Sequence, residues 1–424
     1  MFPLATPILA GPLDSDPVGA APLAKWDESF APRPGPRPNI VVVMVESFDA
    51  GFVEGKAPGG KEYTPFFNAL IRRGIFVDRY YSNSIQTCRA QFALLCSTIP
   101  STHRKEFRTY RPDAFRSLPA ILRNNGYRTA FFQAYYDLDY DSTGDFMSRA
   151  GFDLVGAFPD AAPPPDGSRA CAWGGRDDSF YLRFADWYDR DVAQLPGPTR
   201  FVLLAPIGNH WPFEVPEEDR RIFRDPRSLA EHYANSVRVA DDSLRTLFER
   251  VSRDPAFANT IFLVTGDHGF PLGEHGYFWN ESSFYEEFFR VPLLIVGPGI
   301  APSRIDSTAF SHMDLAPTIA DLTGVDARRN QFSGVSMMRA KSTQHPIQLV
   351  QPYAGVFVST VIFPLKYTVH LASGKDYLRD LLADPSEAHN LSDDAAYADR
   401  KRTLQAAMQE VFRSQERLDR DLGH

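Results

Sequence analysis

The chain has 424 residues, of which 43% are apolar and 23% charged, and its formal net charge is −8 at pH 7. That length exceeds what one compact core usually holds, so we expect one large domain and a smaller one. The acidic balance and the lack of a basic patch exclude a nucleic-acid partner, and no stretch approaches the ~20 apolar residues of a membrane span.

The cysteines and the first residues say little about location. Cys88, Cys96 and Cys171 are odd in number and irregularly spaced, which fits neither a full set of disulfides nor a zinc ribbon. The opening residues lack a basic segment and contain prolines, so they make a poor signal peptide. A complete chain would be soluble and cytoplasmic, whereas an ectodomain or processed form would be periplasmic or extracellular. The sequence indicates neither location nor oligomeric state.

Strand and helix patterns alternate through most of the chain. Residues 1–38 are rich in Pro, Gly and Ala and predict a surface tail. Short apolar runs typical of buried parallel strands are Ile40–Val45, Phe201–Ala205 and Ile261–Val264. Further strands are predicted over Ile75–Tyr80, Thr129–Phe132 and Val291–Val296. Helical patterns begin at Thr64-Pro65, a standard start signal, and cover Ala90–Cys96, Leu118–Asn124 and Ala230–Val251. Residues Asp160–Trp173 are predicted to form an insertion or a surface loop.

This order predicts an α/β fold with a mostly parallel central sheet and helices on both of its faces. We assign that domain to residues 39–340. From residue 341 to 424 the pattern changes, since Gly355–Ile362 alternates as in an antiparallel strand. We therefore predict a small antiparallel C-terminal subdomain that ends in a helix over Ala396–Leu422.

Reactive side chains follow three of the predicted strands. Asp267 and His268 follow Ile261–Val264, Glu46 follows Ile40–Val45, and His210 lies just past Phe201–Ala205. Ligands and metals in open α/β sheets sit beyond the carboxyl ends of strands, and carboxylate and imidazole groups both bind metals. The alternatives without a catalytic role are that Glu46 is a turn or helix-capping residue and that His210 is an ordinary surface residue.

A hydroxyl and a thiol stand before the predicted helix Ala90–Cys96. Thr87 and Cys88 would lie at its positive end, where the helix dipole stabilises the anion needed for nucleophilic attack. Simple helix capping by Thr87 is the alternative.

From about Asn39 to Leu391 the chain resembles the sulfatase branch of the alkaline phosphatase superfamily. The resemblance rests on Asn39-Ile-Val-Val-Val43 and Gly266-Asp-His-Gly-Phe-Pro-Leu-Gly-Glu-His-Gly276, and on the segments 284–299, 313–325 and 377–391. It implies the fold described above. Sulfatases, however, carry Cys-x-Pro-Ser-Arg, whose cysteine becomes formylglycine. Here Thr87 falls at the nucleophile position, Gln91 at the arginine and Glu281 at a family lysine.

One Glu, one Thr and an Asp-His pair instead resemble lipoteichoic acid synthases and the related phosphoglycerol and phosphoethanolamine transferases. This implies a divalent metal ion, Mn²⁺ foremost with Zn²⁺, Mg²⁺ or Ca²⁺ as alternatives, held by Glu46, Thr87, Asp267 and His268. Further similar segments are 45–48, 64–66, 80–83, 209–213 and 173–177. Residues 135–145 do not match the relatives' phosphate-contacting Arg and Trp and offer four aspartates instead.

The resemblance implies a metal-dependent phosphotransferase or phosphodiesterase for phosphoglycerol- or phosphoethanolamine-type diesters. Thr87 would form a phosphothreonine, and His210 would orient the phosphoryl group or protonate the leaving oxygen. A threonine hydroxyl needs a cation to lower its pKa, which favours phosphoryl transfer over formylglycine chemistry. Weaker substrate-binding candidates are His275, Gln91, Trp173 and Asp177.

Two other classes of function stay open. The first is a sulfatase or phosphonate monoester hydrolase, favoured by Gly273-Glu-His-Gly276. The second is a binding module that keeps the fold without the chemistry. For either enzyme, the partner would be a small molecule, or a lipid or glycan head group, that carries a phosphodiester or sulfate ester.

Overall fold

The computed structural model describes residues 36–109, 116–157, 173–215, 221–327, 332–339 and 345–421. The predicted tail up to residue 35 and nearly all of the predicted insertion or loop Asp160–Trp173 lie outside these ranges. Within them, no helix combines the length and the apolar character needed to cross a membrane.

These ranges form thirteen strands and ten α-helices. The strands are β1 (Asn39–Val45), β2 (Ile75–Tyr81), β3 (Tyr127–Gln133), β4 (Leu154–Ala157), β5 (Thr199–Ala205), β6 (Thr260–Gly266), β7 (Arg290–Val296), β8 (Ser303–Ile305), β9 (Phe310–Ser311), β10 (Ile347–Gln351), β11 (Phe357–Ile362), β12 (Leu365–His370) and β13 (Asp376–Asp380). The helices are α1 (Pro65–Ile71), α2 (Thr87–Cys96), α3 (Glu106–Thr109), α4 (Leu118–Asn124), α5 (Thr143–Arg149), α6 (Asp177–Gln194), α7 (Leu229–Val251), α8 (Glu286–Phe289), α9 (Leu315–Thr323) and α10 (Ala398–Asp421).

The large sheet has the order β4-β3-β5-β1-β6-β7-β2-β8, with β9 also paired to β2. Strand β1 is central and runs parallel to β5 and β6, so the carboxyl ends of all three meet at one edge. Only β7 runs against its neighbours β6 and β2. The predicted α/β class with a mostly parallel sheet is confirmed.

Helices cover both faces of this sheet because the central strands are apolar on both sides. Along β1, Ile40, Val42 and Met44 join one buried cluster with α2, α4, α5 and α9. Val41, Val43 and Val45 point the other way, into a cluster with α1, α6 and α7. A strand buried on both faces cannot show the alternation of a half-exposed strand, which explains its unbroken apolar run.

A separate antiparallel sheet, β10-β11-β12-β13, follows the large one. It confirms the predicted small C-terminal unit, while the proposed boundaries at residues 38 and 340 stay predictions. Helix α10 packs on it through Leu404 and Met408. Strand β10 is also hydrogen-bonded to the segment before α2, where Val350 N donates to Asn83 O at 2.9 Å.

Helix α6, which has 18 residues, has no counterpart among the predicted elements. Phe180, Phe184 and Tyr188 recur every four residues in it and are buried. A helical period is therefore present in the sequence of this segment.

Candidate active site

Three neighbouring strands bring the reactive side chains together. In the β1–β6 register Val45 pairs with Gly266, so the next residues, Glu46 and Asp267, leave the sheet at the same level. The Asp267 amide still donates to the Val45 carbonyl at 3.1 Å, which continues the ladder by one bond. The expected placement at strand ends thus follows from the pairing of β1 with β6.

Glu46, Asp267 and His268 form a buried cluster. Each offers one metal-ligand atom, and these three atoms lie within 4.8 Å of one another. His268 Nε2 lies 3.7 Å from Glu46 Oε1 and 3.6 Å from Asp267 Oδ2. Oxygen and imidazole donors at this spacing have the chemistry of a divalent metal site.

Thr87 points its hydroxyl into this cluster. Its Oγ1 donates to Asp267 Oδ2 at 2.7 Å and lies 3.3 Å from Glu46 Oε2. It is the first residue of α2, and the cap position before it belongs to Gln86. The helix-capping alternative for Thr87 is therefore not what the structure shows.

The backbone beneath the cluster is held by residues that the sequence did not identify as part of the site. Ser47 has a left-handed φ of 46°, which is strained for a residue with a side chain. Its amide donates to Asp267 Oδ1 at 2.7 Å. Asn209 Nδ2 donates to the carbonyls of Glu46 and Ser47, both at 3.0 Å, and the Tyr233 hydroxyl donates to Ser47 O. Asn209 stood beside His210 in the sequence motif, but only the fold reveals its partners.

Burial and neighbouring charges shift the pKa values of Asp267 and His268. Burial, followed by the Glu46 carboxylate, raises the pKa of Asp267 to about 6. Burial alone would lower the pKa of His268, but the carboxylates of Asp267 and Glu46 outweigh it and raise that pKa. Both raised pKa values have the same cause, because negative charge is concentrated in a buried cluster. A bound cation would neutralise that charge.

His210 lines the same cavity from the loop after β5. Its Nδ1 lies 2.8 Å from the Trp211 carbonyl, so in the neutral ring Nδ1 carries the proton and Nε2 keeps its lone pair. The Trp173 ring packs against it at 4.6 Å between centroids, and Trp173 Nε1 donates to the same carbonyl at 2.8 Å. Two of the predicted residues thus form one unit at the cavity wall.

The other candidates have different surroundings. Gln91 is buried in the cavity wall. Asp177 lies behind the wall, where its carboxylate accepts from the amides of Ile207 and Gly208 at 3.0 and 2.9 Å. Burial raises the pKa of Asp177 to about 6. Its contacts hold the loop that carries His210, whereas direct contact with substrate was the expectation.

His275 is not among the residues that line the cavity. Its Nδ1 lies 2.8 Å from Glu287 Oε1 and its Nε2 lies 2.7 Å from the Ser386 carbonyl. The ring also stacks on Tyr285 at 3.7 Å between centroids. Both ring nitrogens are occupied, so this histidine links the large sheet's loops to the C-terminal unit.

The site opens into a cavity of about 470 Å³. Besides Thr87, its wall includes Cys88, whose thiol pKa is raised to about 12, mainly by burial. The remaining described lining residues are polar or aromatic for the most part, namely Glu46, Ser47, Ile85, Gln86, Gln91, Gln133, Tyr135, Tyr140, Asp141, Thr143, Trp173, Ala205, Pro206, Ile207, His210, Trp211, His268, Phe270, Trp279, Asn280 and Glu281. This volume lies in the range of small-molecule binding pockets.

Comparison with curated proteins gives both lipoteichoic acid synthases and sulfatases. A lipoteichoic acid synthase-like protein of Bacillus subtilis, YvgJ, is 27% identical over 72% of this chain and 50% of its own length. Lipoteichoic acid synthase 2 of the same organism is 27% identical over 80% of this chain and 51% of its own. A choline-sulfatase of Rhizobium meliloti is 33% identical over 47% of this chain and 38% of its own. The chain spans about half the length, or less, of these curated relatives.

Solved structures share the fold. A protein of the alkaline phosphatase superfamily from Vibrio parahaemolyticus has a TM-score of 0.73 at 22% identity, covering 92% of this chain and 93% of that one. The lipoteichoic acid synthase LtaP from Listeria monocytogenes has a TM-score of 0.67 at 17% identity, covering 90% and 96%. The sequence model of the sulfatase family matches residues 38–325. The chain therefore belongs to the sulfatase family.

Proposed function

We propose that this chain is a metal-dependent phosphoryl-transfer enzyme in which Thr87 is the nucleophile and Glu46, Thr87, Asp267 and His268 hold the metal. Its substrate would be a phosphodiester of the phosphoglycerol or phosphoethanolamine type. The observation that carries the proposal is the Thr87 hydroxyl, 2.7 Å from Asp267 Oδ2 and inside the carboxylate–imidazole cluster. The curated relatives that are lipoteichoic acid synthases support the same reaction class.

The donor set fits a divalent cation. His268 Nδ1 lies 2.8 Å from the Gly269 carbonyl, which places the ring proton there and turns the Nε2 lone pair toward Glu46 and Asp267. Three buried electron-pair donors that face one another repel unless a cation or protons lie between them. Mn²⁺ accepts this mixture of oxygen and nitrogen, as do Zn²⁺ and, with less preference for nitrogen, Mg²⁺ and Ca²⁺.

When bound, the cation would lower the pKa of the Thr87 hydroxyl and screen the charge on the phosphoryl oxygens. The Thr87 hydroxyl passes its proton to Asp267 Oδ2, to which it donates, while Oγ1 forms the new bond to phosphorus and the bond to the leaving alkoxide breaks. His210, doubly protonated, gives its Nε2 proton to that alkoxide oxygen. Water or an alcohol then attacks the phosphothreonine ester, His210 takes the attacking group's proton, the bond between phosphorus and Oγ1 breaks, and Oγ1 recovers its proton from Asp267.

The test is an activity assay on the purified chain with each of the four metals. Bis(p-nitrophenyl) phosphate and p-nitrophenyl sulfate are compared as substrates, and a p-nitrophenyl phosphoryl group on the protein is sought by mass spectrometry after acid quenching. We expect diester turnover, that group on Thr87, and a loss of at least about 1,000-fold in Thr87→Ala. Thr87→Ser should retain part of the activity, because its hydroxyl can occupy the same place.

Cys88→Ala is the matched control, because it changes the neighbouring nucleophile and should leave turnover intact. Full activity in Thr87→Ala together with loss in Cys88→Ala would overturn the assignment. Turnover of the sulfate ester alone would favour the sulfatase alternative. Elemental analysis showing no metal, with no binding on titration, would favour the non-catalytic module.

A further inference from the structure

The mouth of the cavity is bordered by a row of aromatic rings. Tyr135 lies between Tyr140 and Trp173, with centroid distances of 5.5 and 6.2 Å. Trp173 is bonded to the carbonyl of Trp211, whose ring packs on Trp279 at 5.4 Å. We call these five rings the aromatic rim, and all five line the cavity.

Three rings of the aromatic rim remain open to solvent. Tyr140 is 51% exposed, Trp211 39% and Trp279 57%. Exposed apolar surface of this kind, gathered at the entrance of a cavity, is typical of a place where a ligand is bound. The rim therefore offers ring faces and edges that the protein's own packing does not use.

The cavity is lined by carboxylates and by no cationic Lys or Arg side chain among its described residues. The carboxylates are those of Glu46, Asp141 and Glu281. Asp141 is neutralised by Lys105 at 3.0 Å and Arg108 at 2.8 Å, and Glu46 belongs to the metal cluster.

Glu281 differs from the other two carboxylates. It is exposed, it stands two residues from Trp279, and no ion pair joins it to another residue in the described ranges. The mouth of the cavity therefore combines ring faces with one unneutralised negative charge.

We infer that the aromatic rim and Glu281 form a subsite for a cationic head group, an ammonium or quaternary ammonium attached to the phosphodiester; the diester part rests on the proposed function. A cation is attracted both to the electron-rich faces of Trp and Tyr and to the Glu281 carboxylate. A neutral sugar would stack on the rings but gain nothing from Glu281, and a second anion would be repelled by it.

The test of the subsite is a binding measurement that needs no turnover. Isothermal titration calorimetry of the full chain compares choline with 3,3-dimethylbutan-1-ol, in which a carbon replaces the charged nitrogen at nearly the same shape. We expect choline to bind at least about 5-fold more tightly, because only choline is attracted to ring faces and carboxylate by its charge. Equal affinity for the two compounds, or tighter binding of a neutral disaccharide, would overturn the inference.

Matched variants locate the subsite. Trp279→Leu and Glu281→Gln should each reduce the preference for choline by about 3-fold or more. Phe278→Leu, which alters an exposed ring outside the cavity lining, and Glu249→Gln, which removes an exposed carboxylate elsewhere, should leave it unchanged. If all four variants retain the preference, the subsite does not lie at the rim. Both test residues are exposed, so thermal melting should match that of the unmodified chain.

A kinetic comparison separates this inference from the reaction. p-Nitrophenyl phosphocholine and the 3,3-dimethylbutyl diester of p-nitrophenyl phosphate differ only in the charged atom. A higher kcat/KM for the choline ester that falls in Glu281→Gln supports the subsite. Equal turnover of both diesters would refute the subsite and keep the phosphoryl-transfer proposal. Turnover of neither, with selective choline binding intact, would refute the reaction and keep the subsite.

Discussion

Replacing Lys366 by Met should strongly destabilise the contact between the two sheets. Lys366 lies on β12 and is fully buried, with its Nζ 2.9 Å from Glu387 Oε1 and 3.2 Å from Glu286 Oε1. Glu286 begins α8, which leads into the large sheet, so this ion group joins the two units. Removing one partner from a buried ion pair costs about 3–5 kcal/mol because the other charge is left unpaired.

The solvent exposure of the two carboxylates indicates which one causes the cost. The Glu387 side chain is 1% exposed and that of Glu286 is 18% exposed, so Glu286 can regain water and Glu387 cannot. We therefore expect a loss near the upper part of that range in the free energy of unfolding, measured by urea denaturation with unchanged slope. The double variant Lys366→Met/Glu387→Gln has no buried, unpaired carboxylate at position 387. It should therefore recover at least half of the lost free energy of unfolding.

The pH dependence gives a second measurement of the same effect. In Lys366→Met, burial without the ammonium raises the pKa of Glu387 in the folded state above its unfolded value. A folded acid with a raised pKa binds more protons than the unfolded chain, so the variant gains stability as the pH falls. The loss relative to the unmodified chain should shrink between about pH 8 and about pH 5. A loss below about 1 kcal/mol, or a double variant no more stable than the single one, would refute the reasoning.

Three further outcomes are expected. Asn209→Ala should weaken Mn²⁺ binding by about 10–100-fold in calorimetry, since Asn209 holds the carbonyls of Glu46 and Ser47; unchanged affinity would contradict that role. Chelation with EDTA should abolish diester turnover and lower the melting temperature, and Mn²⁺ should restore both; turnover that persists in the metal-free protein would exclude the metal-dependent mechanism. The Asp241 carboxylate accepts hydrogen bonds from the backbone amides of Phe66 and Phe67 at the start of α1, and its pKa is raised to about 6, mainly by burial. Because that value exceeds the unfolded one, the stability of the unmodified chain relative to Asp241→Asn should fall by up to about 3 kcal/mol from pH 4 to pH 7, and a flat difference in urea midpoints would argue against the shift.

Local sequence was sufficient to predict the strands that carry the site. Strands β1 and β6 are unbroken apolar runs because both of their faces are buried, and the polar residues Glu46 and Asp267 directly follow them. That pattern needs no knowledge of distant contacts, and it predicted the fold class, the central sheet and the polar residues that follow its strands. Helix α6 also has a local period, although it was not among the predicted elements.

The sequence by itself therefore determined which elements form and which reactive residues end them. Only the tertiary structure decided that Thr87 meets Asp267 across 180 residues, that Asn209 and Tyr233 hold the Glu46–Ser47 backbone, and that His275 faces Glu287 and Ser386 rather than the cavity. Strand order and register are non-local, and a shift of one residue would turn every side chain to the other face. Strand order and register fix the direction of each side chain. They therefore decide which of the candidate residues point into the cavity and which, like His275, make their contacts elsewhere.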